Sequence, residues 1–151
     1  MIRIDLANQA LSYRGETWPV STSKFGAGEK NGSFCTPRGR HIVRAKIGGG
    51  QPLGAVFVRR RPTGEVWTPE MHERYPGRDW ILTRILWLSG REPGRNRLGD
   101  VDTMRRYVYI HGCPDSAELG KPGSIGCVRM RNRDVAELFD LVPAYAEVEI
   151  L

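Results

Sequence analysis

The chain has 151 residues, which suffice for one hydrophobic core but are too few for two well-formed domains, so we expect a single domain over residues 1–151. No stretch approaches the ~20 apolar residues that a membrane-spanning helix needs, and we therefore expect no membrane association. The 23 Lys and Arg residues outnumber the 17 Asp and Glu residues, and the resulting net charge of +6 favours anionic partners.

The positive charge is concentrated in three arginine-rich stretches, at 38–44, 59–61 and 129–133. These stretches lack the interleaved aromatic residues of a base-stacking platform, and no zinc-finger or RNA-binding signature accompanies them. We therefore expect no nucleic-acid partner. The charge instead suits a solvated basic surface or a small substrate that carries several carboxylates.

The first half of the chain is typical of short strands separated by Gly and Pro turns. A glycine-rich loop is predicted at 26–32, and residues 69–79 indicate a loop or a short helix. A turn at Pro62-Thr63-Gly64 is expected to join two of the strands. The predicted strands are 2–6, 11–13, 18–23, 41–47, 55–60 and 66–68.

The second half of the chain predicts two further buried strands and then a change of period. Strands are expected at 80–88 and at 107–110, separated by a loop at 90–99, and the second strand ends abruptly at His111. Apolar residues then recur at helical spacing, with Asn132 or Asp134 as a candidate cap and Pro143 as the stop. Alternation resumes at 146–151. The apolar helical positions are Val135, Leu138, Phe139 and Val142. These patterns predict a mainly β fold, a sandwich or barrel, with a C-terminal amphipathic helix.

Cys35, Cys113 and Cys127 are an odd number of cysteines without a C-x-x-C pair, which argues against a disulfide framework and against a zinc site. We predict no metal and no cofactor. Free thiols and the absence of an apolar targeting segment at the start of the chain lead us to expect a cytoplasmic protein, or a periplasmic one if a leader has been removed. The oligomeric state is not indicated.

Cys127 and His111 form a candidate nucleophile and base. A thiol with an ordinary pKa near ~8.5 needs a neighbouring base, and a neutral imidazole can accept the proton and return it to a leaving group. The loop between the two residues is rich in Gly and Pro and can fold back on itself. Gly126 and Cys127 would supply backbone N–H groups to an oxyanion, since a residue without Cβ permits close approach.

The residues around this pair resemble a known family signature. Ile110-His111-Gly112, Leu119 to Pro122, and Ser124-Ile125-Gly126-Cys127-Val128-Arg129-Met130 resemble the motif of L,D-transpeptidase (YkuD-like) catalytic domains, as do Pro19 to Thr22 and Thr36-Pro37-Arg38-Gly39 further upstream. The similarity covers nearly the whole chain. It implies a YkuD-like β fold and a cysteine enzyme that acts on peptidoglycan stem peptides.

The resemblance also implies roles for individual residues. Cys127 would attack the carbonyl between the third stem residue, often diaminopimelate, and the terminal D-Ala, with His111 as base and acid and the Gly112 carbonyl orienting the imidazole. Arg129 would order the loop or bind a substrate carboxylate, and an ion pair near the start of the helix is the alternative role for this residue. Ser124 would hydrogen-bond within the loop or to the substrate.

One departure from the motif is Ile125, where the family usually has histidine. Three readings are compatible with the sequence. The expected cytoplasmic location favours an L,D-carboxypeptidase that trims muropeptide tetrapeptides during murein recycling. An L,D-transpeptidase that forms cross-links or exchanges D-amino acids is the first alternative, and an inactive YkuD-like module that only binds peptide is the second. Carbapenem labelling of Cys127 would separate the enzymes from the module.

Overall fold

The computed structural model describes all 151 residues and shows a mainly β fold with a C-terminal helix, which confirms the predicted fold class. Two helices, α1 (Pro69–Arg74) and α2 (Asn132–Leu141), and a 3₁₀ turn at Gly99–Val101 accompany the strands. No helix is long and apolar enough to span a bilayer. The strands are β1 Ile2–Asp5, β2 Ala10–Tyr13, β3 Glu16–Pro19, β4 Gly39–Ile47, β5 Ala55–Val58, β6 Arg61–Val66, β7 Ile81–Gly90, β8 Tyr109–Gly112, β9 Val128–Met130 and β10 Glu147–Ile150.

All ten strands belong to one curled sheet, with the order β3-β2-β1-β10-β4-β7-β5-β6 and with β8 and β9 branching from β7. The two ends of the chain meet in this sheet, because β1 pairs in parallel with β10 and Ile2 lies opposite Val148. The long strand β7 pairs with β4, β5 and β8. This branching brings β8, which carries His111, into the middle of the molecule.

The main core is a cluster of 18 buried residues, drawn from β1–β4, from β7–β10 and from α2, with no contribution from β5 or from the edge strand β6. The amphipathic helix buries Val135 and Leu138 there, as its 3.6-residue period predicts, and Val142 follows them at the helix end. Full burial of an aliphatic side chain contributes about 1.5–3 kcal/mol, so this stripe is sufficient to hold α2 against the sheet. A smaller cluster, containing Ile85 and Tyr109, lies on the opposite face of β8.

The predicted turn at Pro62-Thr63-Gly64 is wrong, because these residues lie inside the edge strand β6. The chain reverses instead at Arg59 and Arg60, whose φ angles of 49° and 64° are left-handed. Proline is tolerated on an edge strand, where its missing N–H breaks no ladder bond, and all six residues of β6 are exposed. The predicted strand 66–68 is likewise wrong: Val66 ends β6, and Thr68 caps α1 by accepting a hydrogen bond from the Met71 amide.

Other boundaries differ from the expectations as well, since the strand predicted at 107–110 is β8, which begins at Tyr109 and continues through His111 to Gly112. Strand β3 ends at Pro19, and the residues after it form isolated bridges, between Ser21 and Arg129 and between Ser23 and Ser124. Neither candidate cap serves α2, because Arg131 occupies the cap position without a side-chain bond. Asn132 is instead the first helical residue, and its amide oxygen accepts a 2.6 Å hydrogen bond from Thr83 Oγ1.

Candidate active site

His111 lies on β8 with its side chain fully buried. Its Nδ1 lies 2.5 Å from the Gly112 carbonyl oxygen. A carbonyl only accepts hydrogen bonds, so Nδ1 carries the proton and Nε2 is the basic nitrogen. Nε2 is buried and has no hydrogen-bond partner. The histidine is thus held by its own strand in the tautomer that a general base requires.

Cys127 immediately precedes β9, which runs parallel to β8 with Ile110 opposite Val128 and His111 opposite Arg129. Extended by one residue, this register sets Cys127 beside Tyr109, and the Cys127 side chain packs against the cluster that contains Tyr109. His111 lies two residues further along β8 on the same face. Adjacent strands lie about 4.8 Å apart and two residues span roughly 6.6 Å along a strand, so this register places the two Cα atoms about 8 Å apart.

The sulfur of Cys127 is held by the segment that leads into β8. It accepts a hydrogen bond from the Tyr109 amide at 3.3 Å and donates one to the Tyr107 carbonyl oxygen at 3.4 Å. The His111 imidazole is not among its hydrogen-bond partners. Catalytic hydrogen bonds often tighten only when substrate is bound, so the predicted proton transfer would require the imidazole and the sulfur to approach each other.

Both groups are neutral in the free protein at neutral pH. Burial raises the pKa of the Cys127 thiol to about 12, against a smaller lowering effect of the Tyr109 amide, even though the residue keeps some exposure at the surface. Burial also lowers the pKa of His111, and nearby Asp79 opposes this shift. The pair is therefore a thiol and a free imidazole rather than a preformed thiolate–imidazolium pair, and a base would have to take the thiol proton for this sulfur to act as a nucleophile.

Glycine is required at both positions that flank this pair. A Cβ on Gly112 would overlap the Asn132 side-chain oxygen and lie 2.6 Å from the Leu82 carbonyl oxygen. Gly126 has φ of 130°, a conformation that L side chains rarely adopt. The backbone conformation just before Cys127 thus depends on glycine at position 126.

The two predicted oxyanion donors differ in the structure. The Cys127 amide makes no hydrogen bond to the backbone and is free to serve an oxyanion. The Gly126 amide instead donates to Ser124 Oγ at 3.2 Å, and the same hydroxyl donates to the Cys127 carbonyl oxygen at 2.6 Å. Ser124 is buried, so its contacts are those of a residue that orders the loop.

Thr36 is a further residue that shapes this loop, although the sequence indicated it only as part of an upstream motif. Its hydroxyl donates a 3.0 Å hydrogen bond to the Gly126 carbonyl oxygen and accepts one from the Ser23 amide. The threonine is fully buried. Its contact explains how a segment some ninety residues upstream fixes the direction of the peptide before the cysteine.

Arg129 makes an ion pair with Asp79, a partner that the sequence did not reveal, and not with a residue near the helix start. Its Nη2 donates to Asp79 Oδ1 at 2.8 Å, and its Nη1 donates to the Gly123 carbonyl oxygen at 3.2 Å. These contacts order the loop before the cysteine, whereas binding of a substrate carboxylate by Arg129 stays a prediction. Asp79 lies in a polar segment just before β7, where no motif marked it.

Two cavities adjoin the site. One, of about 270 Å³, opens at the Cys127 sulfur. The other, of similar volume, lies on the Arg129 side and includes both partners of the ion pair with Asp79. The first, which we call the cysteine groove, is lined by Asn31, Gly32, Phe34, Arg106, Tyr107, Val108, Ile125, Gly126 and Cys127.

Cys113 makes its own contacts, away from the Cys127 sulfur. All three thiols are free. Cys113 is buried, its Sγ donates to the Met130 carbonyl oxygen at 3.2 Å, and burial raises its pKa to about 11. Cys113 lies four residues beyond Tyr109, about 13 Å along the strand from the level of Cys127, whereas a disulfide needs Cα atoms about 4.4–6.8 Å apart.

Comparison with solved structures shows the same fold. The C442S mutant of the Enterococcus faecium L,D-transpeptidase superposes with a TM-score of 0.56 at 17% identity, over 99% of this chain and 48% of that chain. The structure of LD transpeptidase LdtMt1 in complex with imipenem gives 0.54 at 19% identity, over 99% and 57% of the respective chains.

Sequence relatives point the same way. The chain is 30% identical over 128 residues to the probable L,D-transpeptidase YbiS of Escherichia coli (strain K12), which covers 78% of this chain and 40% of that protein. It is 44% identical over 94 residues to the putative L,D-transpeptidase YkuD of Bacillus subtilis (strain 168), over 62% and 47%. The chain thus spans less than half the length of these relatives. The model of the YkuD L,D-transpeptidase catalytic domain matches residues 1–150, and the chain belongs to that family.

Proposed function

We propose that this protein is an L,D-carboxypeptidase that removes the terminal D-Ala from peptidoglycan stem tetrapeptides through a thioester on Cys127. The proposal is carried by one arrangement: a cysteine at the opening of a groove, with a buried imidazole on the same sheet face whose Nε2 has no partner. Membership of the YkuD family supports acyl transfer as the reaction class.

In this mechanism His111 Nε2 takes the thiol proton as Cys127 Sγ attacks the carbonyl before D-Ala. The tetrahedral oxyanion is stabilised by the Cys127 amide, which has no competing backbone bond. Collapse of the intermediate passes the proton from Nε2 to the departing amine, D-Ala leaves, and a thioester remains. A water molecule then loses its proton to Nε2, attacks the thioester and regenerates the thiol.

The charge of the cysteine groove favours water over an amine as acceptor. None of its nine lining residues is acidic, and Arg106 is cationic. An acceptor that arrives as an ammonium ion would find no carboxylate there and would meet a like charge. A neutral water molecule meets no such penalty.

The test is to incubate the protein with a diaminopimelate-containing tetrapeptide and to follow the products by mass. Release of D-Ala with formation of tripeptide is expected, whereas an intact tetrapeptide would refute the proposal. Cys127→Ala should abolish the release. Cys113→Ser is the matched control, because it replaces a buried thiol outside the groove by a hydroxyl that can keep the bond to Met130.

Transfer to an amine is the second candidate. Its support is the carboxylate of Asp79 in the neighbouring cavity and the description of the relatives as L,D-transpeptidases. Adding an excess of a D-amino acid or a second stem peptide separates the two reactions. An exchanged tetrapeptide or a cross-linked dimer would favour transfer, while tripeptide as the main product would favour hydrolysis.

The nucleophile can be tested without a stem peptide. A carbapenem should acylate Cys127 and add its mass to the protein, and Cys127→Ala should prevent the adduct. Absence of an adduct on the unaltered protein would instead favour a module that only binds peptide.

The proposed site of action is the cytoplasm, on soluble muropeptides that are recycled from the wall. Three free thiols fit a reducing compartment. Fractionation of cells that express the natural gene, with immunodetection of the protein, would test this location. Recovery in the periplasmic fraction would contradict it.

A further inference from the structure

An arginine fills an aromatic box beside the cysteine. The Arg60 guanidinium carbon lies 4.8 Å from the ring centroid of Trp87 and 5.0 Å from that of Tyr107. Arg60 Nη1 also donates a 3.0 Å hydrogen bond to the Tyr109 hydroxyl. Trp87 meets the Tyr109 ring edge to face, with centroids 5.8 Å apart. We call these three rings and the guanidinium the Arg60 box.

The Arg60 box includes the side chains of Tyr107 and Tyr109, whose backbone groups contact the Cys127 sulfur. The carbonyl of Tyr107 accepts the Cys127 S–H hydrogen bond, and the amide of Tyr109 donates to the same sulfur. The side chains of both tyrosines are in contact with Arg60. One guanidinium therefore ties together the two ends of the peptide segment that positions the nucleophile.

The backbone of this segment is strained. Tyr107 has φ of 56°, a left-handed conformation that is uncommon for a bulky residue. Such strain persists only where the surroundings enforce it, and it concentrates at functional sites. Tyr107 is 54% exposed, so core packing does not enforce the conformation. The Tyr107 amide donates a 3.1 Å hydrogen bond to the Met104 carbonyl oxygen, and its ring packs against Arg60 and Trp87, so the turn and these contacts together support the conformation.

The hairpin that presents Arg60 is strained as well. Arg59 and Arg60 form a two-residue connection with φ of 49° and 64°, a conformation for which asparagine and glycine are the usual choices. An arginine at this position carries a conformational cost that Asn-Gly would avoid. The cost is offset at Arg60, because its guanidinium makes the contacts in the box. Arg59 is exposed and lies outside it.

We propose that Arg60 is a positioning residue, which keeps the Tyr107 carbonyl and the Tyr109 amide on the Cys127 sulfur and thereby sets how readily the thiol ionises and attacks. The proposal rests on Cys127 being the nucleophile of the proposed function. Arg60 does not line the cysteine groove, so it acts through the tyrosines and not on the substrate. Loss of its guanidinium should reduce kcat more than it changes KM.

The reactivity of the thiol can be measured without substrate. In a Cys35→Ser, Cys113→Ser background Cys127 is the only thiol, and its alkylation by iodoacetamide over a range of pH reports thiolate formation. Arg60→Met should slow alkylation at neutral pH about tenfold and move the profile to higher pH, because the Tyr109 amide no longer faces the sulfur. Arg60→Lys keeps the charge without the planar fork and should fall between the two.

Arg59→Met is the matched control, since it removes a neighbouring arginine of the same turn from outside the box and should leave the profile unchanged. A wild-type alkylation profile and kcat in Arg60→Met would overturn the proposal. If that variant does not fold, Tyr109→Phe decides, because it removes only the hydroxyl that Arg60 binds. An unchanged profile there would equally overturn the proposal. Failure of the protein to release D-Ala would refute the proposed function, whereas the alkylation profiles would still report whether Arg60 affects the reactivity of Cys127.

Discussion

The Arg129 guanidinium pairs with Asp79 across the site, with 2.8 Å between Nη2 and Oδ1. The two side chains are 22% and 30% exposed, so the pair is only partly screened by solvent. The two charges act on the catalytic candidates in opposite directions. Asp79 raises the pKa of both His111 and Cys127, whereas Arg129 lowers both. The ion pair therefore leaves the ionisation of these groups governed mainly by their burial.

Breaking this pair from either side should shift Cys127 in opposite directions. Asp79→Asn removes the carboxylate and leaves an unpaired guanidinium, so the pKa of the thiol should fall and alkylation should proceed at lower pH. Arg129→Gln leaves the carboxylate unpaired, so the pKa should rise. Alkylation profiles of the single-thiol protein measure both effects. Shifts of the same sign would show that the variants act by disturbing the loop and not by charge.

A second prediction concerns the acid limb of the pH–rate profile. His111 must be neutral to accept the thiol proton, and its pKa lies below the ordinary value of 6.5 because the ring is buried. The neutral form therefore remains the major form at pH 6.5, and the midpoint of the acid limb of kcat/KM for D-Ala release should lie below pH 6.5. Measurement of kcat/KM over a series of buffered pH values tests this prediction. An acid limb at or above 6.5 would mean that another group limits the reaction.

The sequence predicted His111 and Cys127 as candidate residues, but it did not predict how the segments that carry them pair. His111 was expected at the end of a strand, because Tyr107 to Ile110 has buried-strand composition and a glycine follows. The three-residue strand β9 was missed, because it is too short to show a period and exists only through its pairing with β8. Asp79 was missed because its role also depends on a distant partner. Arg129 is fifty residues away in the chain, and no local pattern links the two residues.

The misplaced turn has a different cause. Pro62 and Gly64 are strong turn formers, and local propensity favours a reversal at these residues. The structure places the reversal at two arginines instead, since the contacts of Arg60 with Tyr109 and Trp87 offset the unfavourable backbone conformation. Those contacts join residues that are far apart in the chain. Local sequence patterns do not predict contacts of this kind.

Gly112 should be far less tolerant of a side chain than a glycine elsewhere in the sheet region. In Gly112→Ala the new Cβ would lie 2.6 Å from the Leu82 carbonyl oxygen and would overlap the Asn132 side chain, so backbone must move. Overpacking of this kind costs about 1–3 kcal/mol or more in the free energy of unfolding. Urea unfolding measures the loss, which should be accompanied by reduced turnover because His111 is the adjacent residue.

Gly49→Ala is the matched control, because its Cβ would meet only the Phe139 ring, at 3.5 Å, an ordinary contact. Its free energy of unfolding should change by less than about 0.5 kcal/mol, as for most surface substitutions. Equal losses in the two variants would show that position 112 has no special steric demand.

The last prediction concerns stability and a second buried histidine. His41, on β4, is fully buried, with Nδ1 3.0 Å from the Gly39 carbonyl oxygen and Nε2 2.9 Å from Thr103 Oγ1. Burial lowers its pKa from 6.5 to about 4. Between these values the unfolded chain binds a proton that the folded chain does not. The contribution of His41 to stability is therefore complete above pH 6.5 and is lost as the pH falls toward 4.

The size of this loss follows from the shift, since each pKa unit corresponds to about 1.36 kcal/mol, and it amounts to about 3 kcal/mol. His41→Gln removes the titrating group while keeping a polar side chain. Urea unfolding at a series of pH values should then show the unaltered protein losing about 3 kcal/mol more than the variant between pH 7 and pH 4. Parallel curves would mean that the imidazole is protonated in the folded protein as readily as in the unfolded one, which its enclosure between Gly39 and Thr103 should not permit.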